Sequence, residues 1–284
     1  MGNGGGSYGP RVILPDSSET AHAIMGVSSF DNSDNPVFDK ASYLPTLIHE
    51  FNHSFVNHLI TENQKAFENA GSVILPVVRA RMHREGYDRS ETMLMEALVR
   101  ASVIRYLKVH DTDTTVAYKE LQIQLSKGFV WIGQLVDLLG TYEANRKMYP
   151  TLESFMPQII TFYDRIAVNI NSINNDYIKS LAHVSSINPF NNGDTSASPA
   201  TKEIKISFDK PLSGKGSSIR FGKKGKEHYP ITKFIGYTDD NKAILLQVDL
   251  KPDFEYQFVL TGASFQTADG RPIENYEVNF KTSK

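Results

Sequence analysis

Residues 47–59 read LIHEFNHSFVNHL, which sets His49, Glu50 and His53 in an H-E-x-x-H spacing. On a helix, positions four apart sit one turn above each other, so His49 and His53 can aim one imidazole each at a common ion. Glu50 then stands beside the ion without binding it. A zinc ion with three protein ligands keeps one position for water and lowers the pKa of that water toward about 7. Glu50 is placed to take the water's proton and to return it to a leaving amine, which is the chemistry of peptide-bond hydrolysis. With eight His and fifteen Glu in 284 residues, such a spacing arises by chance about once in a hundred chains of this composition. A polar helix face with a hydrogen-bonded His53 and a solvated Glu50 is the simpler explanation to be weighed against it.

The chain must supply a helix to carry that motif. Leu44, Leu47, Ile48, Phe51, Phe55 and Leu59 recur at three- and four-residue spacing and predict an amphipathic helix whose core face excludes His49 and His53, with Pro45 in its first turn. Helical periodicity continues to about residue 182. A second segment, ENAGSVILPVVRARMHREGY, is expected to break at Pro76. A third starts at Ser90 as N-cap, and longer helices are expected at about 113–147 and, capped by Thr151, at 151–172. Ahead of these, RVILPD and AHAIMGVSSFD read as two short strands around the turn SSET.

From SSINPFNNGDTSASPAT onward the character changes to a polar linker followed by period-two alternation at Ile204/Ile206/Phe208, Ile219/Phe221, Ile244/Leu246/Val248/Leu250, Tyr256/Phe258/Leu260 and Tyr276/Val278/Phe280, with Asp269-Gly270 as a turn. Short strands without helical period predict a small β-sandwich. The expected fold class is therefore α+β: a mainly helical domain with a small N-terminal sheet over residues 1–186, then an all-β domain over 187–284.

Composition narrows the function classes. The formal net charge is −2, made of −5 over residues 1–200 and +3 over 201–284, neither of which gives the strongly basic face of a nucleic-acid binder. No cysteine occurs, so disulfides, thiolate ligands and a Cys nucleophile are excluded, and a metal must be held by His and carboxylate. The longest apolar run, FVWIGQLVDLLG, is interrupted by Gln134 and Asp137 and falls short of the roughly twenty residues of a membrane span. Gly4, Gly6 and Gly9 spell G-x-G-x-x-G, but no strand precedes them and Pro10 follows, so no dinucleotide site is expected. The opening MGNGGGSYGPR has no signal-peptide pattern, and Gly6 stands where a myristoylation signal wants Ser or Thr. It reads as an internal segment exposed by trimming, with an upstream region expected to provide any surface attachment.

HEFNHSF within a helix, preceded by short strands and followed by further helices, resembles the zincin-like metallopeptidases. LIHEFNHSFVN together with EALVRASVIRY is similar to a bacterial family of unknown function expected to be secreted or surface-attached metallopeptidases. NPFNNGDTSASPATKEIKISFDKPL and YQFVLTGASFQTADGRPIENYEVNFKT resemble the bacterial Ig-like domains appended to exported proteins. The resemblance implies a zinc-dependent peptidase acting on a peptide or protein outside the cytoplasm. The alternative is a non-catalytic surface binding or adhesion protein on a zincin scaffold; an intact Glu50 favours the enzyme.

Two departures limit the analogy. Val56 and Leu59 replace the Gly and His of the metzincin continuation, with His58 one residue out of register. The glutamate that other zincins carry farther along would fall near Ser72 or Val73, neither of which binds zinc. The third ligand is therefore expected on a neighbouring helix. Leu94, Ala97, Leu98, Ala101 and Ile104 form an apolar stripe, and Glu96 lies near its edge within EALVRA. Glu96 is the expected ligand, with Glu91, Glu62 and Glu68 as competitors and a surface ion pair with Arg100 as its simpler role. Among Tyr142, Tyr149 and Tyr163, Tyr149 is the expected oxyanion-stabilising phenol, because its Pro-bounded break can face a cleft. Asn57, one turn beyond His53, is a candidate partner for that imidazole, and Lys223, Lys224 and Lys226 read as a solvated loop.

Overall fold

A computed structural model describes residues 6–27, 29–38 and 40–284; Gly4 of the glycine motif lies outside the described residues. The class is α+β, with six α-helices and several small antiparallel sheets among the described residues, divided into two compact units, Met1–Asn174 and Asn175–Lys284.

The first unit opens with a hairpin, β1 (Arg11–Ile13) against β2 (Glu19–Ala21), in register Arg11 to Ala21. The second strand thus comes earlier than expected. Of the stretch 21–31, Ala21 ends β2, and Ile24 and Phe30 make isolated bridges to Tyr8 and Pro36. Helices follow as α1 (Lys40–Glu62), α2 (Gln64–Arg84), α3 (Ser90–His110), α4 (Thr114–Lys127), α5 (Ile132–Ala144) and α6 (Leu152–Ser180). Pro76 does not break α2. A helix-interior proline costs about 3 kcal/mol, and burial of Ile74, Leu75 and Val78 around it outweighs that cost. The single helix expected over 113–147 is two, because Gly128 adopts φ +114° and ends α4 in a left-handed cap. Thr151 caps α6 through its hydroxyl, 3.3 Å from the Ser154 amide. Ser90 is instead the first residue of α3, with Arg89 at the cap position and no side-chain cap bond.

Helix α3 is the axis of this unit and packs against α1, α2, α4 and α5. Being surrounded, it is buried on nearly every face, from Met93 and Leu94 through Ala101 to Leu107. That burial carries Glu96 and Arg100 inside as well. In α1 the buried face is Val56, Leu59 and Ile60, whereas Phe51 and Phe55, expected in the core, are 43% and 50% exposed and pack on each other at 5.2 Å. Leu59 of the expected stripe is core, but apolar residues surround much of α1, so spacing alone put Phe51 and Phe55 on the wrong face.

In the second unit, β3 (Val184–Asn188), β4 (Glu203–Phe208), β7 (Ala243–Val248) and β6 (Ile231–Tyr237) form one antiparallel sheet in that order; β5 (Ile219–Phe221), β8 (Glu255–Leu260) and β9 (Tyr276–Lys281) form another. Alternate residues of both, among them Ile204, Ile206, Leu246, Phe258 and Val278, share one hydrophobic core. The stretch expected to be a linker holds β3, paired Ile187 to Ile206, and buries Phe190 and Ala197 in that core. The boundary accordingly precedes residue 186: the last residues of α6 and Leu181–Ala182 belong to the second unit. Gly270, at φ +85°, makes the turn between β8 and β9.

Candidate metal centre

Helix periodicity stacks His49 under His53, and the Nε2 atoms of the two rings stand 3.1 Å apart. Helix α3 brings Glu96 alongside, with Oε1 3.5 Å from His53 Nε2 and Oε2 3.6 Å from His49 Nε2. Among the described residues this is the one group of three or more His, Asp or Glu side chains arranged to hold a metal. Donors about 2.05 Å from a tetrahedral zinc stand about 3.3 Å from one another. The two Nε2 atoms stand 3.1 Å apart, each faces its own Glu96 oxygen at 3.5 or 3.6 Å, and one donor atom from each residue lies within 4.8 Å of the others, so the donor set fits zinc in kind and its nearest donor pairs fit in spacing. A proton shared between the imidazoles explains the shortest distance, but not why a carboxylate faces both rings.

The surroundings prepare these donors. His53 Nδ1 lies 3.1 Å from Asn57 Oδ1, one turn on. Asn57 accepts the Nδ1 proton and leaves the Nε2 lone pair facing the cluster. The pKa of His49 is pushed down to about 3, first by burial and then by the positive charge of Arg100. Its ring is therefore neutral and its lone pair available at neutral pH. Glu50 lies outside the cluster and half-buried. Burial raises its carboxyl above the usual range, with a smaller opposing effect from His53 and a further rise from Glu96. A carboxyl raised in this way suits a general base.

Glu96 is not on the surface. It and Arg100 are each 9% exposed. Arg100 Nε donates to Glu96 Oε2 at 3.1 Å, and Arg100 Nη2 lies 3.0 Å from the same oxygen. The ion pair expected of these two residues exists, but in the interior and in addition to the contacts with the histidines. Glu91 is in the first turn of α3 and binds Thr61 and Arg89.

Tyr149, the phenol expected here, has its described contacts elsewhere. Tyr149 packs edge-on against Phe155 at 4.8 Å, and Tyr142 lies on the same ring at 5.2 Å. Tyr163 is fully buried. No described hydrogen bond or ring contact joins Tyr149 to the cluster, because it belongs to the aromatic group that seats α6 on α5. Tyr87 borders the cluster: its hydroxyl accepts from Arg100 Nη2 at 2.7 Å. Burial pushes its pKa up to about 12, so the phenol keeps its proton. Tyr87 lies in the connection between α2 and α3 and has no periodic signal; its one sequence clue is its place just ahead of the helix that carries Glu96.

Gly9 was also missed. A Cβ there would lie 1.5 Å from the Glu50 carbonyl oxygen, so only glycine lets the N-terminal segment lie against α1 at the motif. Ser54 Oγ donates to the Gly9 carbonyl at 3.3 Å, and Arg11 Nη1 donates to the Ser54 carbonyl at 3.2 Å and meets His58 Nδ1 at 3.0 Å. On the other flank a cleft of about 390 Å³ opens beside His49, lined among others by Arg100, Glu120, Gln124 and Lys127. The lysines of residues 223–226 lie in the second unit, where Lys224 pairs with Glu255.

Fold and site together define an α+β protein with a two-histidine, one-carboxylate cluster on facing helices. The chain belongs to the family described as a domain of unknown function (DUF4932), whose pattern matches residues 3–162 and so covers α1, α3 and the whole cluster. No curated protein matches the chain. Among solved structures, CopC from Methylosinus trichosporium OB3b is 18% identical over 36% of this chain and 93% of its own, with a TM-score of 0.29. The surface layer protein SbsC, domains 1–6, is 14% identical over 91% of this chain, with a TM-score of 0.26, and this chain spans 35% of its length. The N-terminal part of the bacterial S-layer protein SbsC gives 16% identity, 91% and 61% coverage and a TM-score of 0.27. Likeness this low bears on neither fold nor function.

Proposed function

We propose that the protein is a zinc-dependent peptidase of zincin type, with the second unit an Ig-like sandwich appended to the catalytic part and the whole acting outside the cytoplasm. The observation that carries the reading is the cluster of His49, His53 and Glu96, in which the two Nε2 atoms stand 3.1 Å apart and each faces one Glu96 oxygen, at 3.6 and 3.5 Å, close to the ~3.3 Å between donors of a tetrahedral zinc. Two sheets around one core support the Ig-like reading. No described helix is long and apolar enough to cross a membrane.

His49, His53 and Glu96 would hold the zinc, which would supply a Lewis acid and lower the pKa of a bound water. The chain does the rest. Asn57 holds the His53 tautomer, and Glu50, with its carboxyl raised by burial, takes the proton of the attacking water and delivers it to the leaving amine. The cleft beside His49 receives the substrate.

Glu50→Gln tests the assignment. The amide cannot accept the proton, so the variant retains zinc while cleavage of a peptide library falls by about 10²–10⁴-fold. Equal cleavage by both forms, or no cleavage by fully zinc-loaded wild type, contradicts the peptidase reading.

A further inference from the structure

A carboxylate can meet a cation through one oxygen or through both. In Glu96 the two oxygens are not equivalent. Oε1 faces His53 Nε2 at 3.5 Å, and Oε2 faces His49 Nε2 at 3.6 Å but also takes both guanidinium contacts, from Arg100 Nε at 3.1 Å and Nη2 at 3.0 Å. An oxygen has two lone pairs, and the guanidinium uses those of Oε2. Arg100 is itself held on every side. Its Nη1 donates to Gln124 Oε1 at 2.9 Å, Nη2 donates to Tyr87 at 2.7 Å, and its plane stands 5.4 Å from the Phe129 ring centre and 5.7 Å from that of Tyr87. Gln124, 3% exposed, is tied in turn to Glu120.

We propose that Arg100 is a positioning residue that restricts Glu96 to one oxygen on the metal, and so keeps the fourth coordination position open for water and substrate. The inference rests on the metal reading above. It has a consequence that ordinary structural support would not produce. A buried cation one carboxylate away from the metal position repels the metal, so the arrangement weakens binding while it holds the position open. Removing the charge takes both guanidinium bonds from Oε2 and removes the repulsion together.

The test is zinc affinity by chelator competition, with the visible spectrum of the cobalt(II)-loaded protein as second readout, for wild type, Arg100→Met and Arg100→Lys. Arg100→Met binds zinc about tenfold or more tightly, and its cobalt absorption weakens as both Glu96 oxygens bind and coordination number rises. Arg100→Lys, which keeps a cation against Oε2, returns both readouts toward wild type. Should Arg100→Met fail to fold, Arg100→Gln carries the same expectation, since its amide donates one bond without the charge. Zinc bound more weakly in the uncharged variants, with an unaltered cobalt spectrum, overturns the proposal and makes Arg100 a plain support. Wild type that binds no zinc removes the metal reading itself, an outcome visible before any variant is made.

Discussion

Replacing Glu96 with Gln should destabilise the metal-free protein by far more than loss of a surface ion pair. The same i,i+4 pair on an exposed helix is worth about 0.3–0.5 kcal/mol. Here both partners are 9% exposed, and Glu96→Gln leaves the Arg100 guanidinium desolvated without a counter-charge. Breaking a buried pair from one side costs about 3–5 kcal/mol. Three features reduce the figure: the Gln carbonyl still accepts one bond, Arg100 keeps Gln124 and Tyr87, and the burial cost of the carboxylate disappears. The expectation is a loss of about 2–3 kcal/mol, or about 5–10 °C in Tm for a unit of this size. Thermal melts in excess chelator measure it without any contribution from metal. The double variant Glu96→Gln/Arg100→Met should lose less than the sum of the two single changes, because the stranded charge is gone. A shift under about 1 °C, or strictly additive losses, would show that the pair is solvated and refute the reasoning.

Two further expectations concern the rest of the chain. Gly9→Ala places a methyl group on the Glu50 carbonyl, so the N-terminal segment must lift from α1 and trypsin should cut after Arg11 faster; an unchanged rate argues against the close approach. A fragment of residues 175–284 should unfold cooperatively without metal and be more stable than 187–284 by about 2 kcal/mol or more, because the shorter piece lacks most of β3 with Leu181 and Ala182. Equal urea midpoints would place the boundary where the polar composition suggested.

The parts of the site that share one element were legible in the sequence, because helix spacing alone relates His49, Glu50, His53 and Asn57. Glu96 was reachable through the apolar stripe of α3, but its burial was not, since nothing local shows that α3 is enclosed by four other helices. Tyr87 was hidden for the same reason: its role depends on a tertiary contact with Arg100, whereas Tyr149 had only a favourable local context. Alternation revealed five strands of the second unit. It missed β6, whose register shifts twice and breaks the alternation of Ile231 and Phe234, and β3, because Asn, Ser and Pro around Ile187 and Phe190 resemble a linker when the pairing partner lies farther along the chain. In α1, apolar residues on two faces made Phe51 and Phe55 indistinguishable from the true core set of Val56, Leu59 and Ile60.

The central claim is that His49, His53 and Glu96 form a zinc site. Elemental analysis of the purified protein after zinc reconstitution and removal of excess metal tests it most directly, with His49→Ala, His53→Ala and Glu96→Ala alongside. One zinc per chain is expected in the wild type, and its loss in each variant. No retained zinc in the wild type, or the same zinc content in His49→Ala, would contradict the claim.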